Sequence, residues 1–189
     1  WWCTSRVWCT PRPAPPLLRA PPTGSRGIDS DSAATRLGEF FHACLEATAP
    51  PGRALDLDAR AAELGLDTAS RDAVRARAAS LLAAPALARF FEPARYRRAH
   101  NEYELWLADA RTVRLDRLVE FESEIWVLDY KSGDADCAAD AATLAERYAD
   151  QLGGYAAALA ALHPGQAVRA AIITADARLV ELAPQATDV

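Results

Sequence analysis

The sequence predicts an α/β domain. Its centre is a mixed β-sheet flanked by helices, in the order helix, three antiparallel strands, helix, strand, with extra helices near the N-terminus. Three observations carry this. Residues 113–121 and 124–131 are rich in Val, Leu, Ile, Phe, Trp and Tyr, carry charge at period two, and are separated by Glu122-Ser123 alone, the pattern of a tight hairpin. Thr143–His163 then places Leu144, Tyr148, Leu152, Tyr155, Leu159 and Leu162 on one side of a helix. Ala167–Thr174 follows as a near-continuous apolar run, the mark of a strand buried on both faces. A helical crossover returning to one sheet makes that last pairing parallel.

The elements follow in order. Residues 1–30 hold six of the 12 prolines and three of the 5 tryptophans. No helical or strand period survives such proline density, so this stretch is expected to be a disordered leader or linker, with the domain proper at 31–189. Ser32 is placed to cap a helix through Leu37, Phe40, Phe41, Cys44 and Leu45, which Pro50-Pro51-Gly52 ends. Short Ala-rich helices are expected at Asp58–Leu64, Ser70–Leu82 and Pro85–Phe91. Asn101–Leu107 reads as the first strand, before the hairpin. Ser132–Ala142 reads as a polar, acidic loop, and Arg178–Leu182 as a short edge strand.

Composition narrows the function. The net charge is −5 over 189 residues. The first thirty residues carry four arginines and one aspartate, which leaves −8 for the body. A body this acidic does not read as an autonomous nucleic-acid binder, so any nucleic-acid activity calls for a tethered partner to supply phosphate attraction. No apolar run is long enough to span a bilayer and no signal peptide of the usual form is present. The four cysteines lack CxxC spacing, which suits free thiols in a cytoplasmic protein. With Met at 0, the chain is expected to be processed or cut from something longer.

The hairpin concentrates the chemistry. With the turn centred between Glu122 and Ser123, Phe121 faces Glu124 and Asp116 faces Asp129. Directly opposed residues share a sheet face, and so does Lys131, two residues on. Opposed carboxylates repel. A hard divalent cation such as Mg²⁺ removes that cost. Lys131 is the only lysine among 21 basic residues. A compact ammonium kept in an arginine-dominated chain suits a group that positions a water or stabilises developing negative charge. Each acid alone would be ordinary strand decoration; together with the lysine on one face they make a site.

These pieces resemble a known family. Leu115-Asp116, Asp129-Tyr130-Lys131 and Gln151-Leu-Gly-Gly-Tyr155 look like the PD-(D/E)XK nuclease superfamily, and the element order is similar to its αβββαβ core. The Asp-Tyr-Lys-Ser-Gly and Gln-x-x-x-Tyr pieces resemble its RecB branch, as does Gly38-Glu-Phe-Phe-His42 upstream. The resemblance covers about residues 36–182. It implies that His42, Asp116 and Asp129 are metal ligands, with the backbone carbonyl of Tyr130 as a further one. It implies that Lys131 is the catalytic lysine, and that Gln151 and Tyr155 support the site and contact substrate. Glu102 resembles the glutamate of the first strand. Val113 stands where the family often has Gly. Iron–sulfur members need three cysteines after the last strand, whereas only Cys137 follows the hairpin, so no cluster is expected and the helicase-fused AddA/RecB-type domain is the closer relative.

The implied activity is Mg²⁺- or Mn²⁺-dependent hydrolysis of DNA phosphodiesters, as an exonuclease domain in DNA repair or recombination. The implied partners are DNA, a helicase motor and a second nuclease or helicase subunit. This chain has no Gly-x-x-x-x-Gly-Lys phosphate loop, so a motor would lie elsewhere. The alternatives are a non-catalytic nuclease-like module that binds DNA ends or a partner subunit, and a structural domain with a bound ion.

Overall fold

The computed structural model describes residues 32–107 and 111–183; the expected leader lies outside them. The chain forms α1 (Ala33–Thr48), α2 (Leu57–Glu63) and α3 (Thr68–Leu82), then a 3-10 turn and α4 (Ala88–Phe91). Next come β1 (Arg98–Trp106), β2 (Thr112–Glu120), β3 (Glu124–Lys131), α5 (Asp134–Ala138), α6 (Ala141–Leu162), β4 (Ala167–Thr174) and β5 (Leu179–Glu181). The five strands lie in sequence order. β3 and β4 are parallel, while the other pairs are antiparallel. The mixed sheet flanked by helices is the predicted class. No helix among the described residues is long and apolar enough to cross a membrane.

Local chemistry explains most boundaries. Ser32 accepts the Thr35 N–H and caps α1. Asp56, Asp67 and Asp140 do the same for α2, α3 and α6, each satisfying amides that have no helical partner. One expectation is corrected. Residues 132–142 are not all loop, because Asp134–Ala138 forms α5. The stretch is polar and short, so no apolar period announces it; Asp134 and Asp136 in the first turn favour its N-terminus.

The sheet separates two cores. On one face, Phe40, Phe41, Cys44 and Leu45 of α1 pack with Phe90, Phe91, Val119, Trp126, Leu128 and Tyr130. On the other, Leu144, Leu152 and Leu159 of α6 pack with Leu118, Ile125, Val127 and Ile172. Alternation along β3 assigns its residues to the two sides.

The β1–β2 pair breaks this alternation at one place. Ala99 and Val119 face the α1 core, whereas Leu105 and Leu115 face the α6 core. Register does not change, since Asn101↔Arg117 and Tyr103↔Leu115 obey one alignment, and the pair between them, Glu102 and Asp116, drops out of the ladder. Glu102 has φ 52°, a left-handed conformation that few non-glycine residues adopt. That residue rolls β1 over, and local strain of this kind gathers at functional sites.

A buried guanidinium locks the layers. Arg117 is fully buried. It donates to Phe90 O through Nε at 3.1 Å and Nη2 at 2.7 Å, to Pro50 O at 2.7 Å, and to Asn101 Oδ1 at 2.5 Å. The rings of Phe91 and Tyr96 flank it at 4.9 and 5.7 Å. The loop after α1, the end of α4 and strands β1 and β2 therefore share one donor, which holds α1 against the sheet.

Candidate active site

The site gathers where β2 leaves β3. The β2–β3 ladder runs from Glu120↔Ile125 to Arg117↔Leu128, and one step further in the same register sets Asp116 opposite Asp129. The turn matches this, with Phe121 N–H donating to Glu124 O at 2.8 Å. At Asp116 the ladder stops. Its Oδ2 accepts the Tyr130 N–H at 2.7 Å, replacing a backbone acceptor with a carboxylate, and the strands part around it.

Asp116 Oδ1 lies 3.3 Å from His42 Nδ1. His42 projects from α1 with its ring edge-on to Tyr130, centroids 6.0 Å apart. One turn earlier, α1 passes close to the segment after β3. A Cβ added at Gly38 would lie 3.2 Å from Ser132 Oγ, so the glycine permits the approach that brings His42 to the strand ends.

Glu102 completes the group. One ligand atom from each of His42, Glu102 and Asp116 lies within 4.8 Å of the others. The roll of β1 at Glu102 turns its carboxylate toward this cluster. Arg114 Nε pairs with Glu102 Oε2 at 2.5 Å. Asp129 sits beside the group but outside its 4.8 Å limit. Its Oδ2 is 2.6 Å from Lys131 Nζ. That contact is an ion pair and not an aligned hydrogen bond, so the buried oxygen is left without a well-placed donor.

Electrostatics says what is missing. Burial, then the Asp116 charge, pushes the Asp129 carboxyl well above its usual range, despite Lys131. Burial also raises Glu102, with Arg114 opposing and Asp116 adding to the rise. His42 is raised on balance: burial lowers it, but Asp116, Asp129 and Glu102 together outweigh burial. For Lys131 too, burial is outweighed, here mainly by Asp129. Carboxyls raised by burial and mutual repulsion, beside bases raised by those same acids, mark a pocket short of positive charge. Oxygen donors plus one imidazole, short of positive charge, fit a divalent cation. His42, Asp116 and Glu102 are placed to hold it, with Asp129 adjacent.

Lys131 lies between Asp129 and Tyr148, its Nζ 4.2 Å from the Tyr148 ring centroid. Tyr148 reads from sequence as core; its spacing gave no sign that its ring meets the lysine. Gln151 and Tyr155 lie further along the same face of α6 and bond each other, Gln151 Nε2 donating to Tyr155 Oη at 3.2 Å. Gln151 is exposed, and Tyr155 is half-buried against the α6-side core. The arginines of α3 are engaged, Arg71 and Arg75 with Asp58 and Arg77 with Cys137 Sγ.

A family model for the PD-(D/E)XK nuclease superfamily matches residues 17–188. The chain belongs to the PD-(D/E)XK nuclease superfamily. No match was found among curated proteins. As a PD-(D/E)XK domain it is a nuclease fold whose members use divalent metals on DNA, and the His42, Glu102 and Asp116 group is where such an ion fits.

Proposed function

We propose that this PD-(D/E)XK domain is a Mg²⁺- or Mn²⁺-dependent deoxyribonuclease that works as an exonuclease. We place it in a RecB/AddA-like helicase–nuclease of the cytoplasm, in DNA repair or recombination. The observation that supports this most is Lys131 beside Asp129 at the edge of the His42, Glu102 and Asp116 cluster. When bound, a divalent cation supplies charge to neutralise a phosphate oxygen and lowers the pKa of water. Asp116 anchors the cluster to β3 through the Tyr130 N–H. His42 and Glu102 complete the donor set from two other elements. Asp129 orients Lys131, whose ammonium meets the charge that develops on the phosphate. Gln151 and Tyr155 line the approach from α6 and hold the strand in register. The helicase motor and any second subunit would provide the cationic surface that the acidic body lacks.

The test is cleavage of linear DNA by the full chain with Mn²⁺, beside Lys131→Ala and Asp129→Ala. Both variants should lose cutting by about 100-fold or more, the scale for removing a transition-state charge partner. Retained cutting by either variant refutes the residue assignment. Stable DNA binding with metal and no cutting by the wild type would favour the non-catalytic alternative.

A further inference from the structure

Lys131 has two partners of different kinds. On one side is the Asp129 carboxylate at 2.6 Å. On the other is the face of Tyr148, 4.2 Å from Nζ. The ring is itself fixed. Tyr148 Oη lies 3.0 and 3.1 Å from the two carboxylate oxygens of Asp136, and Arg147 also pairs with Asp136. Asp136 belongs to α5, and the whole of α5 is braced from the β4–β5 turn. Arg178 donates to Ala139 O at 2.9 Å, to Cys137 O at 2.5 Å and to Asp136 O at 3.3 Å. A chain of contacts thus runs from Arg178 through α5, Asp136 and Tyr148 to the lysine.

The two partners respond differently to a cation. A divalent ion held by His42, Glu102 and Asp116 would attract the adjacent Asp129 carboxylate and repel the ammonium, so the Asp129 contact loosens when it is most needed. An aromatic face attracts the ammonium through its quadrupole, carries no charge, and does not compete for the metal. A tyrosine whose hydroxyl donates to a carboxylate also has a more electron-rich face. Leu or Phe would serve equally well as packing at position 148, but only an aromatic ring serves the lysine.

We infer that Tyr148, locked by Asp136, is a positioning residue that holds the Lys131 ammonium over the site while the acidic cluster carries its metal. This rests on the nuclease reading above for its consequence in catalysis, though not for its geometry. Because Lys131 is the only lysine of the chain, labelling lysine with ¹³C and ¹⁵N reports on it alone. In the full chain its side-chain signals should be shifted upfield by the Tyr148 ring current, and should stay so when Mg²⁺ is added. Tyr148→Phe should keep the shift and Tyr148→Leu should abolish it. In DNA cleavage with Mn²⁺, Tyr148→Leu should lower kcat by about 10-fold with KM unchanged, and Tyr148→Phe by far less. Adding Tyr148→Leu to Lys131→Ala should cost nothing further, since the two act through one group.

A wild-type lysine signal at its ordinary position, or one that moves there on adding Mg²⁺, overturns the inference. So does a Tyr148→Leu effect on KM alone, or an equal loss in the Lys131→Ala background. If the wild-type chain cuts no DNA, the nuclease reading fails separately, and the lysine signal still decides whether Tyr148 holds the ammonium.

Discussion

Asp116 accepts the backbone N–H of Tyr130 at 2.7 Å, so an acid of the cluster also serves as a rung between β2 and β3. Structure and chemistry can be separated by Asp116→Asn. The amide oxygen can still accept the Tyr130 N–H, while the negative charge is gone. Thermal stability in EDTA should be unchanged or higher, because a repulsive charge beside Asp129 and Glu102 is removed. The rise in Tm on adding Mn²⁺ should disappear. A variant that loses several degrees in EDTA would show that the charge itself holds the strands.

By sequence Glu102 resembles only the glutamate of the family's first strand, yet it sits within the tight group with His42 and Asp116. Glu102→Gln should weaken Mn²⁺ binding by about 10-fold or more, on the scale of losing a metal-site partner. Calorimetric titration of the full chain checks this. Unchanged affinity would exclude Glu102 from the donor set and leave Asp129 to take its place.

The raised groups set a pH dependence. Glu102, Asp129 and His42 all hold protons more tightly when folded. Where the folded state binds more protons than the unfolded, stability falls as pH rises. Their contribution is full below the unfolded pKa values and is lost as pH climbs through the folded ones. Glu124 and Asp176 have lowered pKa values, which matter only toward the ordinary carboxylate range. The protein in EDTA should therefore have a higher Tm at about pH 5.5 than at about pH 8. Since the cation competes with those protons, the stabilisation by Mg²⁺ or Mn²⁺ should grow over the same interval. A metal effect independent of pH would place the ion elsewhere.

Arg117 supports the site from beneath. Replacing it with Met keeps much of the volume but strands Phe90 O and Asn101 Oδ1 and removes a donor to Pro50 O. The loss should be about 3 kcal/mol or more, since bonds to a charged group are worth about 1.5–3 kcal/mol each and orphaned buried acceptors add a penalty. Urea unfolding measures it. A loss below about 1 kcal/mol would mean that water replaces the guanidinium.

The elements that follow from local rules were legible in the sequence. Ser32 as a cap, Pro50-Pro51 as a stop, the Glu122-Ser123 turn and the apolar run at Ala167–Thr174 each depend on a few neighbouring residues. So was the register that sets Asp116 against Asp129, because a two-residue turn fixes it. The short α5 was not, since five residues, two of them Asp, carry no apolar period. Nor was the burial of Arg117, because its partners Phe90, Pro50 and Asn101 are distant in the chain.

By itself the sequence determined the sheet, its parallel β3–β4 pairing, and the company of one lysine with two acids and an upstream histidine. Periodicity, turn length and residue identity are local properties, and they carry that much. Only the tertiary structure decided who stands within reach of whom. It rolled β1 at Glu102 so that a third acid joined His42 and Asp116. It also turned Asp129 to Lys131 and laid the Tyr148 ring against that ammonium. These depend on where α1, α5 and α6 come to rest on the sheet, and packing between elements far apart in the chain sets that.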